Sequence, residues 1–243
     1  MQTRSLLVLL VTVAACGDDG SSAGDGGPDD IMIVVDIDNG SCGDTVRITG
    51  EYINWEQASG FCGINEAVFE VEGGGQMDST APNGRFDLCT PDQAATRLGI
   101  TQPTANSQCT QVPAGYTLPT ILYARKDVIQ SGAFYSARSW TTAQQDVIFT
   151  AVGQPFDAAK AQLHVHVDGT PRAVSIAAAH GPTQAIASGT EVWSAGATGT
   201  DVFFPNVDVG SGQTMLTVAG SSVGAGNVPL IAGTLTNVTV LAP

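Results

Sequence analysis

The chain has 243 residues, of which only 13% are charged, and 23 Asp and Glu against 9 Lys and Arg give a formal charge of −14. That balance excludes a nucleic-acid partner, because phosphate contacts need clustered Lys and Arg, and Lys126 and Lys160 are the only lysines. No 3.6-residue apolar period persists, and short alternating runs broken by Gly, Pro, Asn and Asp favour an all-β fold.

At the N-terminus, Arg4 precedes the apolar stretch Ser5 to Ala14, which is too short to span a bilayer. It runs into Val13-Ala14-Ala15-Cys16, and then GDDGSSAGDGGPDD, whose low hydrophobicity cannot offset the entropy of ordering it. This order resembles a bacterial lipoprotein signal. The resemblance implies that residues 1–15 are removed, that the Cys16 thiol is acylated, and that the protein is lipid-anchored in the cell envelope, at the outer membrane or cell surface. Residues 16–30 then form a disordered acidic tether with an end-to-end distance of about 20 Å. Without Arg4, eight basic residues against 23 acidic ones give −15.

Residues 31–142 are expected to form a disulfide-containing β-sandwich. Ile31 to Ile37 is a strand candidate, followed by a turn at Asn39-Gly40. Asp36 and Asp38, with Asp44, are candidates for calcium, since hard carboxylate oxygens suit that ion, although the EF-hand spacing is absent. Thr45 to Ile53 is the next strand. Ala67, Phe69 and Val71 alternate with Glu70 and Glu72, as a half-buried strand requires. Asn83-Gly84 predicts a tight turn; Phe86 and Leu88 then point inward, with Asp87 facing water. Thr90 to Leu98 is the best short helix candidate. Thr120 to Val128 and Phe134 to Thr141 complete the set. With Cys16 acylated, Cys42, Cys62, Cys89 and Cys109 remain, an even number that reads as two disulfides in an oxidising compartment. Three pairings are open. Cys42–Cys62 with Cys89–Cys109 is favoured because each closes a loop of about 20 residues without strong strand signals, contributing about 3 kcal/mol each. A four-thiolate zinc site is disfavoured by the wide spacing.

The run from Ala67 to Val71, then Thr80-x-x-Asn83-Gly84-Arg85-Phe86-x-Leu88, then Gly115-Tyr116, resembles a carboxypeptidase regulatory-like domain, the transthyretin-like or Cna-B-like β-sandwich of exported bacterial proteins. The resemblance covers about 70 residues and implies a structural or binding module with no catalytic residue to carry over. The Cys-bearing segment from Ile53 to Gly63 departs from a minimal version of that fold.

Residues 143–243 contain no cysteine and repeat the β pattern. Strands are expected at Asp146 to Val152, Ala159 to Asp168, Arg172 to Ala179, Glu191 to Ser194, Thr200 to Phe204, Gln213 to Ala219 and Gly233 to Leu241. GTDVFFPNVDVGSGQTMLTVAG resembles the same sandwich class. The expected architecture is two tandem Ig-like or transthyretin-like sandwiches, with a single larger sandwich as the alternative.

His164-Val165-His166, with His180 beyond, is the one constellation that points to chemistry. Residues i and i+2 of a strand share a face, so His164 and His166 form a metal candidate with His180 as a third ligand. Set against it is an ordinary strand, with Ala161, Leu163, Val165 and Val167 buried and Lys160, Gln162, His164, His166 and Asp168 solvated. The pair also resembles that of an intradiol ring-cleavage dioxygenase, whose ferric iron takes two Tyr and two His. Here no tyrosine lies between Tyr135 and His164, and Ala161-Gln162 stands where that family carries Arg-Pro. No G-x-S-x-G elbow or phosphate loop occurs. Trp55, Trp140 and Trp193 would form a sugar-stacking platform if exposed, although tryptophans are more often buried. The reading favoured by these signals is a non-enzymatic, cofactor-free, membrane-anchored module that binds a protein or polysaccharide. The alternative is a metal-dependent enzyme or metal-binding protein using His164 and His166.

Overall fold

The computed structural model describes residues 42, 45–56, 63–73, 77–101, 115, 118–188, 190, 192–220 and 222–243. In chain order these form β1 (Val46–Asn54), β2 (Val68–Val71), β3 (Met77–Ser79), β4 (Arg85–Thr90), β5 (Ala95–Thr101), β6 (Thr120–Arg125), helix α1 (Lys126–Gln130), β7 (Tyr135–Ser139) and helix α2 (Thr142–Val152). Beyond α2 come β8 (Ala161–Gly169), β9 (Arg172–Ile176), β10 (Gln184–Ile186), β11 (Trp193–Ala195), β12 (Thr198–Gly199), β13 (Asp201–Val207), β14 (Gln213–Val218), β15 (Gly226–Pro229) and β16 (Leu235–Ala242).

The fold is all-β and layered. A nine-stranded sheet, β11-β10-β13-β8-β16-β6-β5-β2-β3, carries a three-stranded sheet (β4-β1-β7) on one face and a four-stranded sheet (β12-β9-β14-β15) on the other. Side chains that alternate across β2, β5 and β6 pack Phe69, Leu98 and Leu122 against Tyr52, Phe86 and Tyr135 of the three-stranded sheet. On the opposite face Leu163, Val165 and Val238 meet Val174, Leu216 and Val228 of the four-stranded sheet. The alternations expected for Ala67, Phe69 and Val71 and for Phe86 and Leu88 hold, with Glu70 and Asp87 exposed.

Two self-contained sandwiches meeting at 142/143 are not what forms. The last strand, β16, pairs in parallel with β6 on one side and β8 on the other, so one sheet crosses that boundary, and the described residues make one compact unit. Two other expectations are corrected. Thr90 to Leu98 is not helical: β5 runs antiparallel to β6, burying Thr96, Leu98 and Ile100 at the period of two that a strand imposes. Asp146 to Val152 is not a strand but part of α2, nucleated by a capping box in which the Thr141 hydroxyl accepts from Gln144 N–H and the Gln144 side chain accepts from Thr141 N–H.

The turn before β4 is also longer than a two-residue Asn83-Gly84 reversal. Ala81 to Gly84 closes through Gly84 N–H to Ala81 C=O (2.8 Å), with Pro82 and Asn83 central. Gly84 lies at φ 78°, and a Cβ there would stand 2.3 Å from the Tyr52 carbonyl oxygen.

Cys42 pairs with Cys89, not with Cys62. The reason is the ladder: β1 and β4 are antiparallel, with Arg47 opposite Cys89, so the segment entering β1 lies beside the end of β4. Loop length alone therefore misassigned the pairing. Cys62 and Cys109, the 1–30 leader and tether with Cys16, and Asp36 and Asp38 lie outside the described residues. Among the described residues no helix is long and apolar enough to cross a membrane.

Candidate functional site

β8 is where the expected solvated face proves buried. Gln162 and His164 are both 0% exposed: Trp55 and, from β7, Arg138 gather at His164, while the Gln162 amide pairs with Asn206. Register sets what His164 meets: Asn237 of β16 is its neighbour on one side and Phe203 of β13 on the other, while Asp201 stands beside His166. From the facing sheet, β7 contributes Arg138.

These residues close on one another. Asp201 Oδ1 lies 3.1 Å from Arg138 Nε, 2.9 Å from His164 Nε2 and 3.3 Å from His166 Nδ1, and Thr200 Oγ1 donates to Oδ2 at 3.2 Å. Arg138 Nη1 also donates to the Trp55 carbonyl at 3.3 Å, which accepts from Trp193 Nε1 at 3.0 Å. The Asn237 amide bonds both backbone groups of Arg138: Oδ1 accepts its N–H at 2.8 Å and Nδ2 donates to its C=O at 3.2 Å. Burial would raise the Asp201 pKa, yet the Arg138 guanidinium and the histidine hydrogen bonds hold the carboxyl well below its ordinary value. For His164, burial, helped by the Arg138 and His166 charges, pushes the pKa below its ordinary value against the upward pull of Asp201.

His164 and His166 do converge on a carboxylate, as a metal site would require. The cation that balances that carboxylate is the Arg138 guanidinium, which repels a metal ion brought to the same oxygen. His180 is elsewhere: its Nδ1 is 2.6 Å from Gly181 O and its ring meets Phe204 edge-on at 5.0 Å, beside an open cavity of about 370 Å³ that Asp157, Lys160 and Asp208 also line. Among the described residues no group of three or more His, Cys, Asp and Glu is arranged to hold a metal ion. Tyr135, the nearest preceding tyrosine in sequence, has its hydroxyl 3.5 Å from Arg125 O, and burial pushes its pKa up.

The three tryptophans gather beside this centre. Trp55 stacks on Trp193 (4.4 Å, 6° between planes) and meets Trp140 edge-on at 4.9 Å. Trp55 and Trp140 are buried, which removes them as an open platform; Trp193 is half-buried. Trp193, Phe203, Ile148 and Val152 line a hollow of about 130 Å³, with Val147 exposed on its rim.

Sequence reasoning found the histidine pair but not Arg138, Asp201 or Asn237. Two signals were present: Arg138 is the lone charge between Phe134 and Trp140, and Asp201 heads the apolar run Val202-Phe203-Phe204. Charged residues in such runs are buried only when paired.

No family model matches the chain, and no curated protein does. Among solved structures, the Bacillus anthracis TIE protein is similar over 82% of this chain at 13% identity, with a TM-score of 0.27. The chain spans 34% of that protein's length.

Proposed function

We propose that the chain is a lipid-anchored, non-enzymatic component of a bacterial cell envelope, held through Cys16 at the outer membrane or cell surface and presenting a β module to a protein or polysaccharide. One observation carries this reading: the order of Arg4, the apolar stretch Ser5 to Ala14, Val13-Ala14-Ala15-Cys16 and the acidic tether. The Asp201 centre supports the non-enzymatic half, since its groups satisfy one another in the core, with Arg138 2% and His164 0% exposed. The run from Ala67 to Leu88 enters the same reading as a carboxypeptidase regulatory-like element. The test is metabolic labelling with an alkyne fatty acid, followed by fractionation of cells making the full chain or its Cys16→Ala variant. Label and membrane association in the parent, both lost in the variant, are expected. An unlabelled, soluble parent protein would refute the anchor.

A further inference from the structure

The hydrogen-bond geometry around His164 determines a proton count. Its Nδ1 stands 2.8 Å from Asn237 Oδ1 and its Nε2 stands 2.9 Å from Asp201 Oδ1. The Asn237 oxygen is identified by Arg138, whose N–H donates to it while the Arg138 carbonyl accepts from Nδ2. A flipped amide would set donor against donor and acceptor against acceptor. Both ring nitrogens therefore face oxygens that accept. Nitrogen and oxygen at these separations have a hydrogen between them, and a neutral imidazole offers only one.

We infer that His164 stands in the folded protein as an imidazolium, bridging Asp201 and Asn237 and holding one proton in the core. The groups that face it are Asp201 from β13, Arg138 from β7, His166 from its own strand and the uncharged Asn237 from β16, with the Trp55 and Trp193 rings alongside. Burial, with the Arg138 and His166 charges, opposes the second proton and pulls the pKa down; against that pull stands the geometry, including the Asn237 oxygen 2.8 Å from Nδ1. Two short hydrogen bonds, one of them to a carboxylate, oppose its loss, because either neutral tautomer turns a lone pair onto an oxygen. The proton belongs to His164 and not to Asp201, whose Oδ1 also faces Arg138 Nε and is held as a carboxylate.

The consequence is a latch sensitive to alkali. Asn237 and Asp201 tie the nine-stranded sheet to Arg138 of the three-stranded sheet, and deprotonating His164 breaks the bridge between them. A histidine whose proton is held more tightly in the folded state contributes stability fully below its unfolded pKa of about 6.5, and loses it as pH rises through the folded value. The experiment uses the full chain in detergent, labelled with ¹⁵N-histidine, with long-range ¹H–¹⁵N spectra recorded from pH 6 to 9. His166→Gln and His180→Gln assign the three histidines by elimination, so no variant of His164 is needed. Both His164 nitrogens are expected to carry protonated-type shifts at pH 7.5, with the thermal midpoint falling as the second proton leaves. One lone-pair-type nitrogen at pH 7.5 overturns the inference, whether the ring is neutral or the proton sits on Asp201. A midpoint that does not fall on deprotonation overturns the latch.

Discussion

Asp201→Asn keeps the shape of the side chain and removes its charge, which takes from the buried Arg138 guanidinium the carboxylate that lies 3.1 Å from its Nε. The Arg138 and Asp201 side chains are 2% and 6% exposed, so water cannot take over the lost role. Removing one partner from a pair this buried costs about 3–5 kcal/mol. Asparagine retains one carbonyl oxygen able to accept from Arg138 or His164, which places the expectation near the lower end, about 3 kcal/mol. Against a typical total of about 5–15 kcal/mol this is a large share, and at about 2–4 °C per kcal/mol it lowers Tm by about 6–12 °C. Denaturant unfolding followed by tryptophan fluorescence suits the measurement, since Trp55 and Trp193 sit against the pair. Arg138→Met completes a double-mutant cycle in which the double variant should lose at least about 2 kcal/mol less than the sum of the singles. A cost below about 1 kcal/mol for Asp201→Asn, or an additive cycle, would refute the view that this pair holds the sheets together.

Acid should act through the same carboxylate. The Asp201 pKa in the folded state lies well below its ordinary 3.8, so the stability it contributes is present above that value and is lost as pH falls below it. Asp201→Asn should flatten the decline in thermal midpoint below about pH 4, and an unchanged slope would exclude Asp201 as its source. Cys42→Ser opens a disulfide between residues 47 apart in sequence and should cost about 4 kcal/mol by loop-closure entropy. An unchanged denaturation midpoint in that variant would count against the assigned pair. Gly84→Ala places a Cβ 2.3 Å from the Tyr52 carbonyl at φ 78° and should destabilise by more than about 1 kcal/mol in the same assay.

The elements legible in the sequence were those with one wet face. Glu70 between Phe69 and Val71, and Asp87 between Phe86 and Leu88, mark β2 and β4 because water on one side forces the alternation. α2 was hidden by its apolar run Val147-Ile148-Phe149, which fits a strand equally well; the Thr141 to Gln144 capping spacing was the better guide. β8 misled for a different reason. A polar residue at a strand's second face signals solvent only if nothing covers that face, and what covers His164 is β7, contributed from before α2. The candidate site was half legible: His164 and His166 announce themselves two residues apart, whereas Asp201 lies 37 residues from His164 and 63 from Arg138, separations that no local pattern encodes.

The parallel pairing of β16 between β6 and β8 also sets a timetable. At about 5–20 residues per second, translation of the roughly 110 residues from β6 to β16 takes about 5–20 seconds, during which the edge of β6, and that of β8 once it is made, await β16. Each exposes hydrogen-bonding groups that invite pairing with another chain. The sheet can close only after its last-made strand has been inserted into its middle, so a nascent chain must be kept from settling early, and losing that strand would open the centre of the sheet, not trim its edge.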